Sequence, residues 1–302
     1  MSTPVPLRLA GVVRRSFGRA DDAADPRALR FHRDLAASFG VTFDAELLAH
    51  GNRNSFTAMC LDAWEALGDL AGPLDLIVLA HAVPDIDVGG RYAAAALAHR
   101  VPGEPPAFAV GDQGVATSFT ALRIVSEYVR VGAATRVLVM LLDQSTVPYR
   151  TPNPTRPEPG ADTAVGLVFA ADPAAGAGLA IDQFAGVAAD EVRPILARVL
   201  ADLAPAETAV TVLAGSGIDG ADLAGVGAGV GARVVTVPAG RMTTGLWCDL
   251  RPHDPGRDAP SAPLVLIDYD RTLRYLCVAT IRGAHLARED LIPIRLSRRD
   301  VT

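Results

Sequence analysis

The sequence AFAVGDQGVATSFTALRIVSEYVRVGAATRVLVMLLDQS, residues 107–145, decides the fold of this chain. Residues 107–110 form a short apolar run with strand character, and residues 134–142 form a second apolar run of strand length. Between them, apolar side chains recur at the three- and four-residue steps of a buried helix face: Val115, Phe119, Leu122, Val125 and Val129. The stretch therefore predicts two parallel strands that are joined by a helix in a right-handed crossover.

The turn between the first strand and the helix, Gly111-Asp112-Gln113-Gly114, is the chemically distinctive part of this unit. It leads into a helix start, where unpaired backbone N–H groups and the positive end of the helix dipole meet. A nucleophile or an anion is favoured at such a position. Asp112 precedes the helix, and we expect it to act as a cap.

From this turn onward the sequence resembles the active-site region of the thiolase-fold condensing enzymes, the ketoacyl-ACP synthase III and chalcone synthase group. In that group the helix opens with a cysteine, which is followed by small residues and then by an Ala-Leu pair. Residues 113–122, QGVATSFTAL, align with this pattern without a gap, and Val115 stands at the cysteine position. A valine side chain has no lone pair, so it cannot form an acyl thioester.

Two further catalytic positions of that family are also replaced. The resemblance places a histidine after the first strand of the second half, where residues 211–217, TVLAGSG, provide Ala214. It places an asparagine in the turn after the next strand, where residues 239–244, AGRMTT, provide Arg241. The loss of all three groups predicts that this chain does not carry out the usual decarboxylative condensation.

The resemblance implies a thiolase-like α/β fold with five layers, α-β-α-β-α, that is built from two similar halves. The predicted order of strands and helices does occur twice along the chain. We expect the N-terminal half at 1–172 and the C-terminal half at 173–302, packed as one compact unit. Folds of this group pair into dimers, so the resemblance also implies a dimer.

Composition excludes several classes of function. The formal net charge is −6 and no basic stripe is visible, so we expect no nucleic-acid partner. Neither a membrane-spanning run nor a signal-peptide pattern is visible, which predicts a cytoplasmic protein without membrane association. The chain contains no lysine, which excludes Schiff-base chemistry, pyridoxal phosphate linkage and a Walker A loop. The three cysteines lack metal-ligand spacing, so we expect no metal and no bound cofactor.

Three residues are candidates for a replacement nucleophile or base. Ser118 lies one helical turn beyond Val115, although no histidine is identifiable nearby to activate it. Cys248 lies in an apolar segment, where a buried inert thiol is the alternative interpretation. His81 ends an apolar run, where it either faces a cleft or is a satisfied structural histidine. Residues 143–145, Asp-Gln-Ser, indicate a polar interface or a strand-end turn rather than a catalytic triad.

The sequence leaves three hypotheses about function. The first is a non-catalytic subunit in polyketide or fatty-acyl secondary metabolism, present as a homodimer or as a heterodimer with an active ketosynthase III-type subunit. The second is an acyltransferase or hydrolase with a rebuilt active site that acts on an acyl-CoA or acyl-carrier-protein thioester. The third is a module that binds an acyl ligand without chemistry. Acyl carrier protein is a further partner that the resemblance implies.

Overall fold

The computed structural model describes residues 2–20, 25–87, 92–149, 159–173, 178–203, 209–226, 231–250, 262–282 and 291–296. Within these ranges the strands are β1 (Leu7–Phe17), β2 (Leu76–His81), β3 (Ala107–Gly111), β4 (Arg136–Asp143), β5 (Asp162–Ala171), β6 (Gly178–Ala185), β7 (Val210–Ala214), β8 (Ala232–Thr236), β9 (Leu264–Asp270), β10 (Tyr275–Arg282) and β11 (Leu291–Leu296). The α-helices are α1 (Pro26–Ser38), α2 (Ala45–His50), α3 (Phe56–Leu67), α4 (Ala93–Arg100), α5 (Ala116–Arg130), α6 (Val192–Leu203), α7 (Gly220–Leu223) and α8 (Gly245–Cys248).

Two mixed sheets repeat the same strand arrangement. The first has the order β11-β1-β5-β4-β2-β3, and the second has the order β6-β10-β9-β7-β8. Apart from β11, both sheets follow the order first, fifth, fourth, second, third strand of their half. The directions also match, because the fifth strand is antiparallel to both neighbours while the other pairings are parallel. The prediction of two similar halves is therefore confirmed.

The apolar side chains form three clusters that define five layers. One cluster packs α3 and α4 on the outer face of the first sheet. A second packs α5 and α8 between the two sheets, and a third packs α6 on the outer face of the second sheet. The central helix α5 is apolar where it meets the sheets, as its sequence period predicted: Phe119, Leu122 and Val125 are buried. The predicted α-β-α-β-α architecture is confirmed.

The last described strand was not anticipated from the sequence. β11 pairs in parallel with β1 and so joins the first sheet, although it lies in the second half of the chain. β5 ends at Ala171 and β6 begins at Gly178, on either side of the expected division after residue 172. The exact boundary between the halves stays a prediction. In the described residues, every helix is too short or too polar to cross a bilayer.

A buried carboxylate at the end of β4 connects the first sheet to α8. Asp143 is fully buried and accepts hydrogen bonds from Thr243 N at 3.0 Å, Thr244 N at 2.9 Å and Thr244 Oγ1 at 2.7 Å. Burial raises the pKa of Asp143 above its ordinary value, against the effect of these donors. The strand-end interpretation of residues 143–145 is thus the one that the contacts favour, because the side chains bond within the chain.

We expect Asp143→Ala to lower the free energy of unfolding by about 3–5 kcal/mol, because it leaves several buried donors unpaired. Asp75→Ala is the matched control. The exposed Asp75 also accepts from three donors, namely Thr135 N, Thr135 Oγ1 and Arg136 N. Its loss should cost only about 1 kcal/mol, because water can replace it. Urea unfolding of both variants measures the difference, and equal costs would contradict the role given to Asp143.

Candidate functional site

The candidate site lies at the start of α5, where the turn after β3 enters the central layer. Val115 is buried and takes the N-cap position without a side-chain hydrogen bond. The first turn is stabilised by Thr117, whose Oγ1 accepts from Gln113 N at 3.3 Å and donates to Gly114 O at 2.8 Å. Asp112 is exposed with a positive φ of 61° and does not serve as the cap that the sequence suggested.

A carboxylate from the second half of the chain meets this helix start. Asp270 ends β9, is 3% exposed, and its Oδ2 accepts a long hydrogen bond of 3.4 Å from Val115 N. Its other oxygen, Oδ1, accepts from Thr272 N at 3.0 Å and from Leu273 N at 2.8 Å. The carboxylate is therefore fixed by its own turn on one side and reaches the start of α5 on the other.

A second carboxylate, Asp268, points to the same face of β9 and holds the loop after β7. Its Oδ1 accepts from Gly217 N at 3.1 Å and from Tyr269 N at 2.8 Å. A Cβ on Gly215 would lie 2.1 Å from the carboxyl carbon, so only glycine fits beside it. Burial, chiefly, raises the pKa of Asp268 to about 6, and the nearby charge of Asp270 adds to this effect.

The positions predicted for the histidine and the asparagine lie at the ends of neighbouring strands. Ala214 is the last residue of β7, and its carbonyl accepts from Val237 N at 2.9 Å just after β8. Arg241 follows in the same segment and is half-buried, and its Nε has no hydrogen-bond partner among the described residues. The loop after Ala214 reaches Val115 through the two carboxylates of β9. Ala214 and the segment that contains Arg241 thus lie beyond the carboxyl ends of two neighbouring parallel strands, while their family roles stay a prediction.

Ser118 lies inside the central layer, and within the part of the chain that the structure describes no histidine bonds to it. It is 2% exposed on α5. Each histidine in the described ranges bonds elsewhere: His32 to Ile86 O, His50 to Glu46, His81 to Val83 O and His99 to Glu104. A serine hydroxyl without a base is a weak nucleophile, so the packing interpretation of Ser118 is favoured.

Cys248 ends α8 and is buried. Burial, chiefly, raises the pKa of its thiol to about 11, although the cation of Arg241 acts in the opposite direction. The thiol therefore stays protonated at neutral pH, and a protonated thiol is a poor nucleophile. Arg14 closes the end of this helix by donating to Cys248 O at 3.0 Å and Leu250 O at 2.8 Å. The neighbouring His253 lies outside the described residues.

His81 ends β2 in a structural setting. Its Nδ1 lies 2.8 Å from Val83 O, and its ring centroid lies 4.8 Å from that of Phe56. Burial lowers the pKa of His81 below its ordinary value. The imidazole is therefore neutral at pH 7 and has one nitrogen engaged, which favours the satisfied structural histidine over a catalytic base.

The two carboxylates of β9 are the site residues that sequence reasoning missed. The segment 264–270, LVLIDYD, was interpreted as an apolar strand that ends in a turn. The signal was nevertheless present, because Asp268 and Asp270 are two positions apart and therefore share one face of a strand. An acidic residue on the buried face of such a strand needs donors, and for each carboxylate one donor here is distant in sequence: Gly217 N for Asp268 and Val115 N for Asp270.

Comparison with known proteins shows the fold. No protein-family model and no curated protein matches the sequence. AbyA1, described as a tetronic acid condensing enzyme, matches at 17% identity and a TM-score of 0.58, over 92% of this chain and 100% of that chain. A 3-oxoacyl-(acyl-carrier protein) synthase from Burkholderia xenovorans LB400 matches at 15% identity and a TM-score of 0.61, over 98% of this chain and 99% of that chain. The 3-oxoacyl-(acyl carrier protein) synthase III of Pseudomonas aeruginosa PAO1 matches at 18% identity and a TM-score of 0.58, over 92% of this chain and 98% of that chain.

We expect the stability difference between Asp268→Asn and the wild type to depend on pH. Between about pH 4 and pH 6 folded Asp268 holds a proton that the unfolded chain has lost, so its contribution to stability falls as the pH rises through this window. The asparagine variant should therefore gain about 2.4 kcal/mol relative to the wild type from pH 4 to pH 7.

Urea unfolding at several pH values measures this difference. Asp69→Asn, which changes an exposed carboxylate, is the control and should stay within about 0.5 kcal/mol of the wild type. A wild-type to Asp268→Asn difference that stays constant with pH would contradict the burial of a proton-binding carboxylate.

Proposed function

We propose that this chain, which has the thiolase fold of the ketoacyl-ACP synthase III group, is a non-catalytic subunit of an acyl-thioester condensing or acyl-transfer system. It would pair with an active ketosynthase III-type chain in polyketide or fatty-acyl secondary metabolism. The observation that carries the proposal is Val115 at the start of α5, with the carboxylate of Asp270 beside it. The solved structures with this fold include a tetronic acid condensing enzyme and 3-oxoacyl-(acyl carrier protein) synthases, which supports the substrate class.

The side chains at the three family positions do not supply the chemistry of condensation. Val115 offers no sulfur to accept an acyl group, and Ala214 offers no donor or base. Arg241 is a permanent cation where the resemblance places a neutral amide. The fold is retained while these groups are absent, which supports a role in holding or shaping a partner.

The free edge of the first sheet supports a partner subunit. β3 is the terminal strand of that sheet, and within the described residues no strand pairs with its outer side. Its sequence, AFAVG, has no charge and no proline, and its side chains are partly exposed. On one face Phe108 packs against Tyr128 of α5, with ring centroids 6.2 Å apart.

An uncharged and uncovered edge strand is a site for pairing with a strand of another chain. Natural monomers protect such edges with charges, prolines or bulges, none of which occurs in β3. The edge itself fits a second copy of this chain as well as a related subunit. The absence of a nucleophile in this chain favours the heterodimer, because a homodimer would contain no condensing cysteine at all. An acyl-CoA or an acyl carrier protein would then be recognised with the partner's active site.

A rebuilt acyltransferase or hydrolase has less support from the contacts. Among the described residues no histidine bonds to Ser118, the thiol of Cys248 is protonated, and His81 is engaged with the backbone. If one of these residues were catalytic, its alanine variant would lose turnover of an acyl-CoA. Copurification of an acyl ligand without turnover, and without a partner, would instead identify the acyl-binding module.

We expect this chain, purified alone, to form no covalent acyl adduct with acetyl-CoA or octanoyl-CoA. When coexpressed with a ketosynthase III-type chain from the same genome, it should copurify in a 1:1 complex, and the adduct should lie on the partner. Intact-mass spectrometry measures both outcomes. A stoichiometric adduct on the lone chain would show that it is an independent acyl-transfer enzyme.

We expect Ala109→Arg, which places a charge in the middle of β3, to abolish pairing. Light scattering after size-exclusion chromatography of the coexpressed chains should show a 1:1 heterodimer before the change, and a mass close to 31.4 kDa for the variant of this chain. Val234→Arg is the matched control, because it places the same charge on β8, the edge strand of the second sheet. Dissociation by Val234→Arg, with Ala109→Arg still paired, would assign the interface to the other sheet.

A further inference from the structure

We infer that the carboxylate of Asp270 acts as an internal anion at the start of α5. It occupies the position where the N–H groups of that helix start would otherwise stabilise a thiolate or an acyl oxygen. This inference rests on the proposed function only in regarding the start of α5 as the former reaction site. The contact itself is a property of the fold. The contact is a second reason, independent of Val115, for the lack of catalytic activity that we propose for this site.

The first support is the pairing of the backbone N–H groups at the start of α5. The first N–H groups of a helix have no partner inside the helix and are the groups that bind anions. Here Val115 N is directed at Asp270, and three neighbouring donors are paired locally. These local pairs are Gln113 N to Thr117 Oγ1 at 3.3 Å, Ala116 N to Gln113 O at 3.0 Å and Thr117 N to Gly114 O at 3.2 Å.

The second support is steric. A Cβ on Gly114 would lie 1.8 Å from Asp270 Oδ2, so the carboxylate occupies the space that any side chain at this position would need. Gly114 also has a positive φ of 55°, which other residues rarely adopt. The turn and the carboxylate therefore fit each other, and the contact belongs to the packed fold.

The third support comes from the duplication of the fold. Asp143 ends β4 and caps the start of α8, which belongs to the second half. Asp270 ends β9, which corresponds to β4 in the strand order, and it reaches the start of α5 in the first half. Each half thus supplies one carboxylate to the central helix of the other. At α8 this carboxylate is a structural cap, and the same arrangement at α5 occupies the candidate site.

The first test removes the internal anion and offers a replacement. In Asp270→Gly, formate should raise the thermal midpoint in a saturable manner, by about 2 °C or more beyond its effect on the wild type. Chloride at equal ionic strength is the control for salt. Asp75→Gly, which removes an exposed carboxylate, is the control variant and should not respond. No formate-specific rise in folded Asp270→Gly would count against an anion position at this helix start.

The second test keeps the size of the side chain and applies if Asp270→Gly does not fold. A cysteine is introduced in Val115→Cys and in the double variant Val115→Cys/Asp270→Asn. At pH 7 iodoacetamide should alkylate residue 115 at least about tenfold faster in the double variant, because the nearby carboxylate no longer opposes the thiolate. Peptide mass spectrometry separates this site from the native cysteines, which are buried.

Measurable but equal alkylation rates in the two cysteine variants would overturn the inference. It would also be overturned if residue 115 were protected from alkylation in both variants and Asp270→Gly showed no response to formate. Neither result would bear on the partner-subunit proposal, which stands or falls on copurification and on the location of the acyl adduct. Conversely, an acylated lone chain would refute that proposal, whereas the formate response would still show whether Asp270 occupies the helix start.

Discussion

The central layer depends on one constraint, which is that the N–H groups at the starts of its helices must be paired although they lie between two sheets. The chain meets this constraint with carboxylates at the ends of corresponding strands. Asp143 caps α8, and Asp270 reaches α5. Each contact joins one half to the other, so the packing of the two halves and the state of the candidate site have the same physical origin. An acidic residue that secures the fold also occupies the place where chemistry would occur.

The fold of this molecule is that of condensing enzymes, whereas the function that we propose for it is not condensation. The fold matches solved structures of condensing enzymes over nearly the whole chain. At the positions where the resemblance places the cysteine, the histidine and the asparagine, this chain has Val115, Ala214 and Arg241. A scaffold that keeps its shape without its reactive groups retains two capacities, which are to pair through a sheet edge and to present a surface to a ligand. The partner-subunit proposal uses the first of these.

Much of the architecture could be predicted from the sequence, because periodicity reports burial. The apolar spacing of 115–129 identified α5, and the repeated order of elements indicated two halves. The missed features depend on contacts between distant residues. β11 has no pattern that shows its pairing with β1, and the donors Gly217 N and Val115 N lie 51 and 155 positions from the carboxylates that they meet, Asp268 and Asp270. Asp112 failed as a cap because its backbone adopts a positive φ ahead of the first helical turn.

The reciprocal carboxylates also bear on how the polypeptide acquires its structure. Asp270 and Val115 are 155 positions apart, and Asp143 and Thr244 are 101 apart. Contacts with such long loops form late, since loop closure is entropically costly before other interactions compensate. Asp270 is synthesised long after α5, so the N-terminal half alone cannot form the contact at the start of that helix, whereas Asp143 is already present when α8 is made. The two halves should therefore behave as one cooperative folding unit despite their internal symmetry.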